Sequence, residues 1–227
     1  MQRLRLLSLA LLAILAVAAI ASASAFALEN PEILPNPTEA KPLNFTSKSG
    51  AGTLITIGGN AITCADDTNE GKFTSARLGP VTVTFLTCTS TGGVKCKTAG
   101  AEAGKIVLEA GIHLVDFKKG TTLTLGAVIT LSKNIVITCG VLKDEVKGSV
   151  MGEVSGVTSG VETSTGTLTF TAKEKGVQLL SKCELDKTFC EGKTFKLEAS
   201  FNGSTFESAS EETTDEMKFA EKIRIDF

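Results

Sequence analysis

Six cysteines limit what this chain can fold into more than any other feature. Their setting is clearest between Pro80 and Cys96. Val81, Val83 and Phe85 alternate there with Thr82, Thr84 and Leu86. A period of two, rich in β-branched residues, predicts a half-buried strand with the odd residues facing the core. On that parity Cys88 falls on the outer side with Thr82 and Thr84. Thr91-Gly92-Gly93 supplies a glycine turn that sets Cys96 opposite it. Cys64, in phase with Ile62, and Cys139, in phase with Ile135 and Ile137, should point inward. The expected pairs are therefore Cys64–Cys139 across the core, Cys88–Cys96 at the surface and Cys183–Cys190 as a local clip. Six cysteines allow fifteen connectivities, and parity selects this one. Loop-closure entropy assigns about 4.5 kcal/mol to Cys64–Cys139 and about 2.5 kcal/mol to Cys88–Cys96. Cys139→Ser should then destabilise far more than Cys96→Ser.

The rest of the chain repeats this pattern. Strands are expected at 53–57, 61–64, 72–77, 81–87, 105–109, 112–117, 121–131, 135–139, 148–154, 165–173, 195–201, 205–208 and 222–227, with glycine or Asn-Gly turns between several of them. No helical stripe of three turns follows the first 25 residues. Short strands with turn signals every 8–12 residues predict an all-β fold: a single antiparallel β-sandwich or a partly closed β-barrel, stapled by disulfides.

Residues 1–25 read as a signal peptide. Arg3 and Arg5 precede an apolar run from Leu6 to Ile20, and Ala23-Ser24-Ala25 is a small-residue cleavage site. Residues 26–42 hold four of the five prolines and read as a leader or linker. Residues 43–227 are read as one domain. Export agrees with the cysteines, which favour an oxidising compartment, secreted or cell-envelope associated. No stable transmembrane helix is expected after cleavage. The net charge is −2, and losing Arg3 and Arg5 leaves 21 basic against 25 acidic residues. A mildly acidic chain without a basic cluster is a poor nucleic-acid binder.

Ser49-Gly50-Ala51-Gly52-Thr53-Leu54, Cys64, the block from Cys88 to Gly100, Cys139-Gly140, Gly148-Ser149-Val150 and Leu197 to Gly203 stand in this order. Together they resemble a group of uncharacterised exported, cysteine-containing β-rich proteins of soil actinobacteria. The resemblance covers most of the chain after the leader. Its motifs are cysteines and turns, and the group has no established activity, so no functional residue carries over. Cys183 and Cys190 stand beyond the group's four cysteines.

Catalytic candidates are few. His113 is the only histidine, so any Ser-His-Asp or Cys-His site must use it. In Ile112-His113-Leu114 it reads as the polar side of a strand. Asp66, Asp67, Asn69 and Glu70 gather oxygen ligands in what reads as a turn, a weak calcium candidate without EF-hand spacing. Glu211, Glu212, Asp215 and Glu216 read as a solvated acidic loop. No cofactor is implied. The chain lacks the Tyr and Trp that usually build a sugar platform. The expected role is an exported, non-catalytic binding or structural module, with cell-envelope or extracellular polymer contact among its possible partners. The alternatives are a secreted hydrolase using paired carboxylates and an outer-membrane-type β-barrel. The second is suggested by the alternating tail Phe219, Ile223, Ile225, Phe227.

Overall fold

A computed structural model describes residues 30–183 and 186–227; the signal-peptide reading lies outside them. The fold is all-β and antiparallel throughout, with three disulfides, as the sequence predicts. Its strands follow one another around a closed ring of eight positions. Most positions hold two consecutive strands separated by a short break, so the ring has two tiers.

The first position is β2 (Leu43–Ser49) and β3 (Gly52–Thr56), bent at Gly50-Ala51. The second is β4 (Ala61–Cys64) and β5 (Asp66–Phe73), bent at Ala65. β6 (Leu78–Leu86) and β7 (Thr89–Ser90) form the third, and β8 (Cys96–Thr98) and β9 (Ile106–Lys119) the fourth. β10 (Thr122–Leu131) and β11 (Ile135–Cys139) make the fifth. β12 (Leu142–Ser155) runs unbroken through both tiers. β13 (Glu162–Phe170) and β16 (Leu197–Ser200) share the seventh position between β12 and the last strand. The eighth, β17 (Glu207–Asp226), also spans both tiers and pairs with β2 and β3, which closes the circuit.

Segment 171–196 leaves the ring. It forms a small hairpin, β14 (Ala172–Glu174) with β15 (Val177–Gln178), and one helical turn, α1 (Lys187–Cys190). Cys183–Cys190 clips it, and its Phe195 packs with Val115, Phe117, Val128 and Met151. β9 is therefore buried on both faces. Ala110, Ile112 and Leu114 join the main core inside, and Val115 and Phe117 join this second cluster.

Several expectations are corrected here. The stretch 26–42, read as a leader or linker, contributes to the fold in its described part: β1 (Glu32–Leu34) pairs with the end of β17 and Ile33 is fully buried. Asp66–Gly71 is strand, not turn, and the 211–216 acidic run lies inside β17. The apolar tail row, including Phe219, Ile223 and Ile225, faces the interior, while Lys218, Glu221, Lys222 and Arg224 face out. A lipid-facing strand has the reverse arrangement.

The disulfide pairing also differs. The expected hairpin exists: Gly92 and Gly93 take φ of 99° and 78°, and the Cys96 N–H donates to the Cys88 carbonyl. But the bonds are Cys64–Cys88 and Cys96–Cys139, not Cys64–Cys139 and Cys88–Cys96. The parity argument fails at Thr87. β6 stops at Leu86 and Thr87 takes φ of 55°, which breaks the alternation and turns Cys88 inward, where it is fully buried. Each cysteine then bonds to the flanking strand. The bonded pairs have Cα atoms 4.0 and 4.1 Å apart, the close approach of directly opposed residues in antiparallel strands. The two bonds, with the Gly92-Gly93 hairpin between them, link β4, β7, β8 and β11 into one row of short strands. Cys183–Cys190 forms as expected.

Candidate functional site

An eight-stranded ring leaves an interior that side chains just fill, or that holds one small ligand. Here it is not filled. A cavity of about 120 Å³ lies where the two tiers meet, walled by Val83, Phe85, Leu108, Ile129, Leu131 and other apolar side chains. The breaks at Gly50-Ala51 and Ala65 lie close to this junction in the chain. Gly52 on the wall carries no side chain, and an added Cβ would sit 3.4 Å from Thr213.

One side of the cavity is polar. Ser47 on β2, Asp67 and Asn69 on β5, and Glu211 and Asp215 on β17 all line it. These strands are neighbours, β17 beside β2 and β2 beside β5. The Asn69 amide Nδ2 donates to Asp67 Oδ1 at 2.8 Å, Asp215 Oδ1 at 2.7 Å and Ser47 Oγ at 2.9 Å. Ser47 Oγ donates to Asp215 at 3.2 Å and Ser49 Oγ to Asp67 at 2.6 Å. Two buried atoms remain without a partner, Asn69 Oδ1 and Thr213 Oγ1.

Charge is unbalanced there. Burial pushes the Asp215 carboxyl up to about 8, reinforced by Asp67 and Glu211. Burial and Asp67 push Glu211 up to about 7. By surface area Glu211 is half-buried, and its side chain lines the cavity. Among the described residues no cation forms an ion pair with Asp67, Glu211 or Asp215. The Asp67 and Asp215 side chains stand within hydrogen-bonding reach of each other. Glycosidase carboxyls keep a gap of roughly 5 Å or more for the sugar.

The weak calcium candidate divides between two faces. Asp67 and Asn69 are buried inside, while Glu70 is exposed and Asp66 lies on its side of the strand. Alternation along β5 keeps the four from converging. Glu211 and Asp215 are the residues that sequence reasoning missed. The signal was present: the odd-numbered tail row, extended back through Met217, passes through Asp215, Thr213 and Glu211.

His113 sits elsewhere, on the outward face of β9 under segment 171–196. It is buried rather than on a polar face. Its Nε2 lies 3.3 Å from Asp186 Oδ2, and its ring stacks on Phe189 at 3.7 Å between centroids. Arg77 donates to the same Asp186 oxygen at 3.2 Å. Burial holds His113 below its usual range, with Asp186 opposing. Asp186 also accepts from the Phe189 N–H at 2.9 Å, so it starts α1 as well as pairing the two bases. Another buried acid, Asp116, follows Leu114 on the inner face of β9. Neither of its carboxyl oxygens has a hydrogen-bond partner, and burial, opposed by Arg77, raises it to about 7.

Comparison with known proteins finds no matching family model, no matching curated protein and no matching solved structure.

Proposed function

We propose that the chain is an exported, non-catalytic binding module that encloses a small, largely apolar ligand inside its ring. The cavity carries this reading: an apolar chamber with a single polar side, which is how small-molecule sites are generally built. Three disulfides are compatible with an extracellular location. Among the described residues no helix is long and apolar enough to cross a membrane.

A ligand that binds only the folded state raises the melting temperature with its concentration. The test is a thermal-shift screen of small apolar compounds against the disulfide-intact protein and against Val83→Phe, which fills the chamber. Stabilisation of the native protein and none of Val83→Phe supports the reading. Equal stabilisation of both, or of neither, overturns it.

A further inference from the structure

We propose that the cavity selects a small organic cation, an apolar body bearing one ammonium group that sits among Asp67, Asn69, Glu211 and Asp215. This rests on the enclosed-ligand reading above and names the chemistry of its ligand.

The inference comes from counting donors and acceptors. A carboxylate accepts only, and an amide offers two hydrogens. The two hydrogens of Asn69 Nδ2 are shared among three acceptors, on Asp67, Asp215 and Ser47. The hydroxyls of Ser47 and Ser49 are spent on Asp215 and Asp67. The serine and asparagine donors of the patch are therefore all spent, and a proton on Asp215 is spent on Asp67. Acceptors remain. Asn69 is only 6% exposed and its Oδ1 has no partner, although it lines the chamber. The Glu211 carboxylate takes no part in the patch's hydrogen bonds; Glu211 is held through its backbone, which Gln178 contacts on both sides. What completes such a patch must bring hydrogens, and an ammonium brings three together with the missing positive charge.

The walls do not suit a bare calcium ion. Calcium wants six to eight oxygens around it. Here the oxygens lie on one side only, and the other side is Val83, Phe85, Leu108 and Ile129. A carboxylate ligand would meet charges of its own sign. The size is bounded too: a cavity of about 150 Å³ lined by apolar side chains accepts benzene, and this one is about 120 Å³. The ligand body is thus of the order of a single six-membered ring.

The experiment holds the body constant and changes the head. Benzylamine, benzyl alcohol and benzoate are titrated calorimetrically into the disulfide-intact protein. Benzylamine should bind at least tenfold more tightly than benzyl alcohol, and benzoate not measurably. Glu211→Gln leaves the patch's hydrogen bonds in place, so it should fold normally. It should weaken benzylamine severalfold and benzyl alcohol by less, so the ratio between the two narrows. Glu211→Gln combined with Asp215→Asn should abolish the preference. Benzyl alcohol binding as tightly as benzylamine, or a preference that survives in both variants, overturns the cation assignment and leaves the enclosed-ligand reading standing. Failure of all three compounds to bind overturns both.

Discussion

Asp186 and Asp215 are both buried acids on this protein, and their neighbours are opposite in kind. Asp186 lies outside the ring under the clipped segment, with Arg77, His113 and the Phe189 N–H all directed at it. Asp215 lies inside the ring among Asp67 and Glu211, with serine and asparagine for company and no cation. A buried charge is tolerated only when it is paired or neutralised. The chain pairs Asp186 from its own residues, so that acid holds the segment in place. It leaves the interior acids to a proton or to something that enters. The contrast separates a structural cluster from a receptive one.

The largest expected effect tests whether the two regions are held independently. By loop-closure entropy, removing Cys96–Cys139 as a double serine variant costs about 4 kcal/mol, and removing Cys183–Cys190 about 2.5 kcal/mol. Denaturant midpoints measure both. The outer variant should keep its binding in the chamber, and loss of binding there would break the independence. Because Cys96 and Cys139 are partners, Cys96→Ser and Cys139→Ser should now cost about the same.

Next in size is the direct contrast of the two acids. Asp186→Ala strips two basic groups of their partner and removes the start of α1, costing about 2–3 kcal/mol. Asp215→Asn at pH 8 removes a charge from among like charges. It should fall within about 1 kcal/mol of neutral or be stabilising. Equal destabilisation by the two variants at pH 8 would erase the distinction.

The third is a pH dependence with a defined sign. Glu211, Asp215 and Asp116 are raised to about 7, 8 and 7 in the folded chain, above their ordinary values. Between the unfolded value and the folded one, the folded chain holds a proton that the unfolded chain has lost. Stability therefore falls as pH rises from about 4 towards 8, on the order of 1 kcal/mol per pH unit where a group titrates. Glu211→Gln and Asp215→Asn should each flatten that slope in urea melts across the range. An unchanged slope in both would show that the two cavity acids are not the cause and leave Asp116 as its source.

The smallest effect has the opposite sign. Burial lowers His113, against the pull of Asp186. Its contribution is complete above pH 6.5 and is lost as pH falls from 6.5 through the lower folded value. His113→Gln should flatten only this acid limb, by less than about 1 kcal/mol. A change in the alkaline limb instead would mean that the two regions communicate.

Sequence by itself determined the parts set by neighbours in the chain. Alternation in Ala61–Cys64 and Ile135–Cys139 gives strands with those same ends, and Asn202-Gly203 makes a hairpin with Asn202 at φ of 50°. The Gly92-Gly93 turn and the Cys183–Cys190 clip, seven residues apart, are equally local. Tertiary structure decided what depends on strands far apart in the chain. Thr87 resets the parity of Cys88 because the row of cysteines across four strands holds it there, and no local signal marks that φ. Asp67 and Asp215 are 148 positions apart and touch only because the last strand closes the ring beside the first. An acidic run on a free edge would be solvated; the same residues on a strand that seals a ring are forced inside. Closure is a property of the whole sheet, and it turned a stretch that reads as surface into the polar side of a cavity.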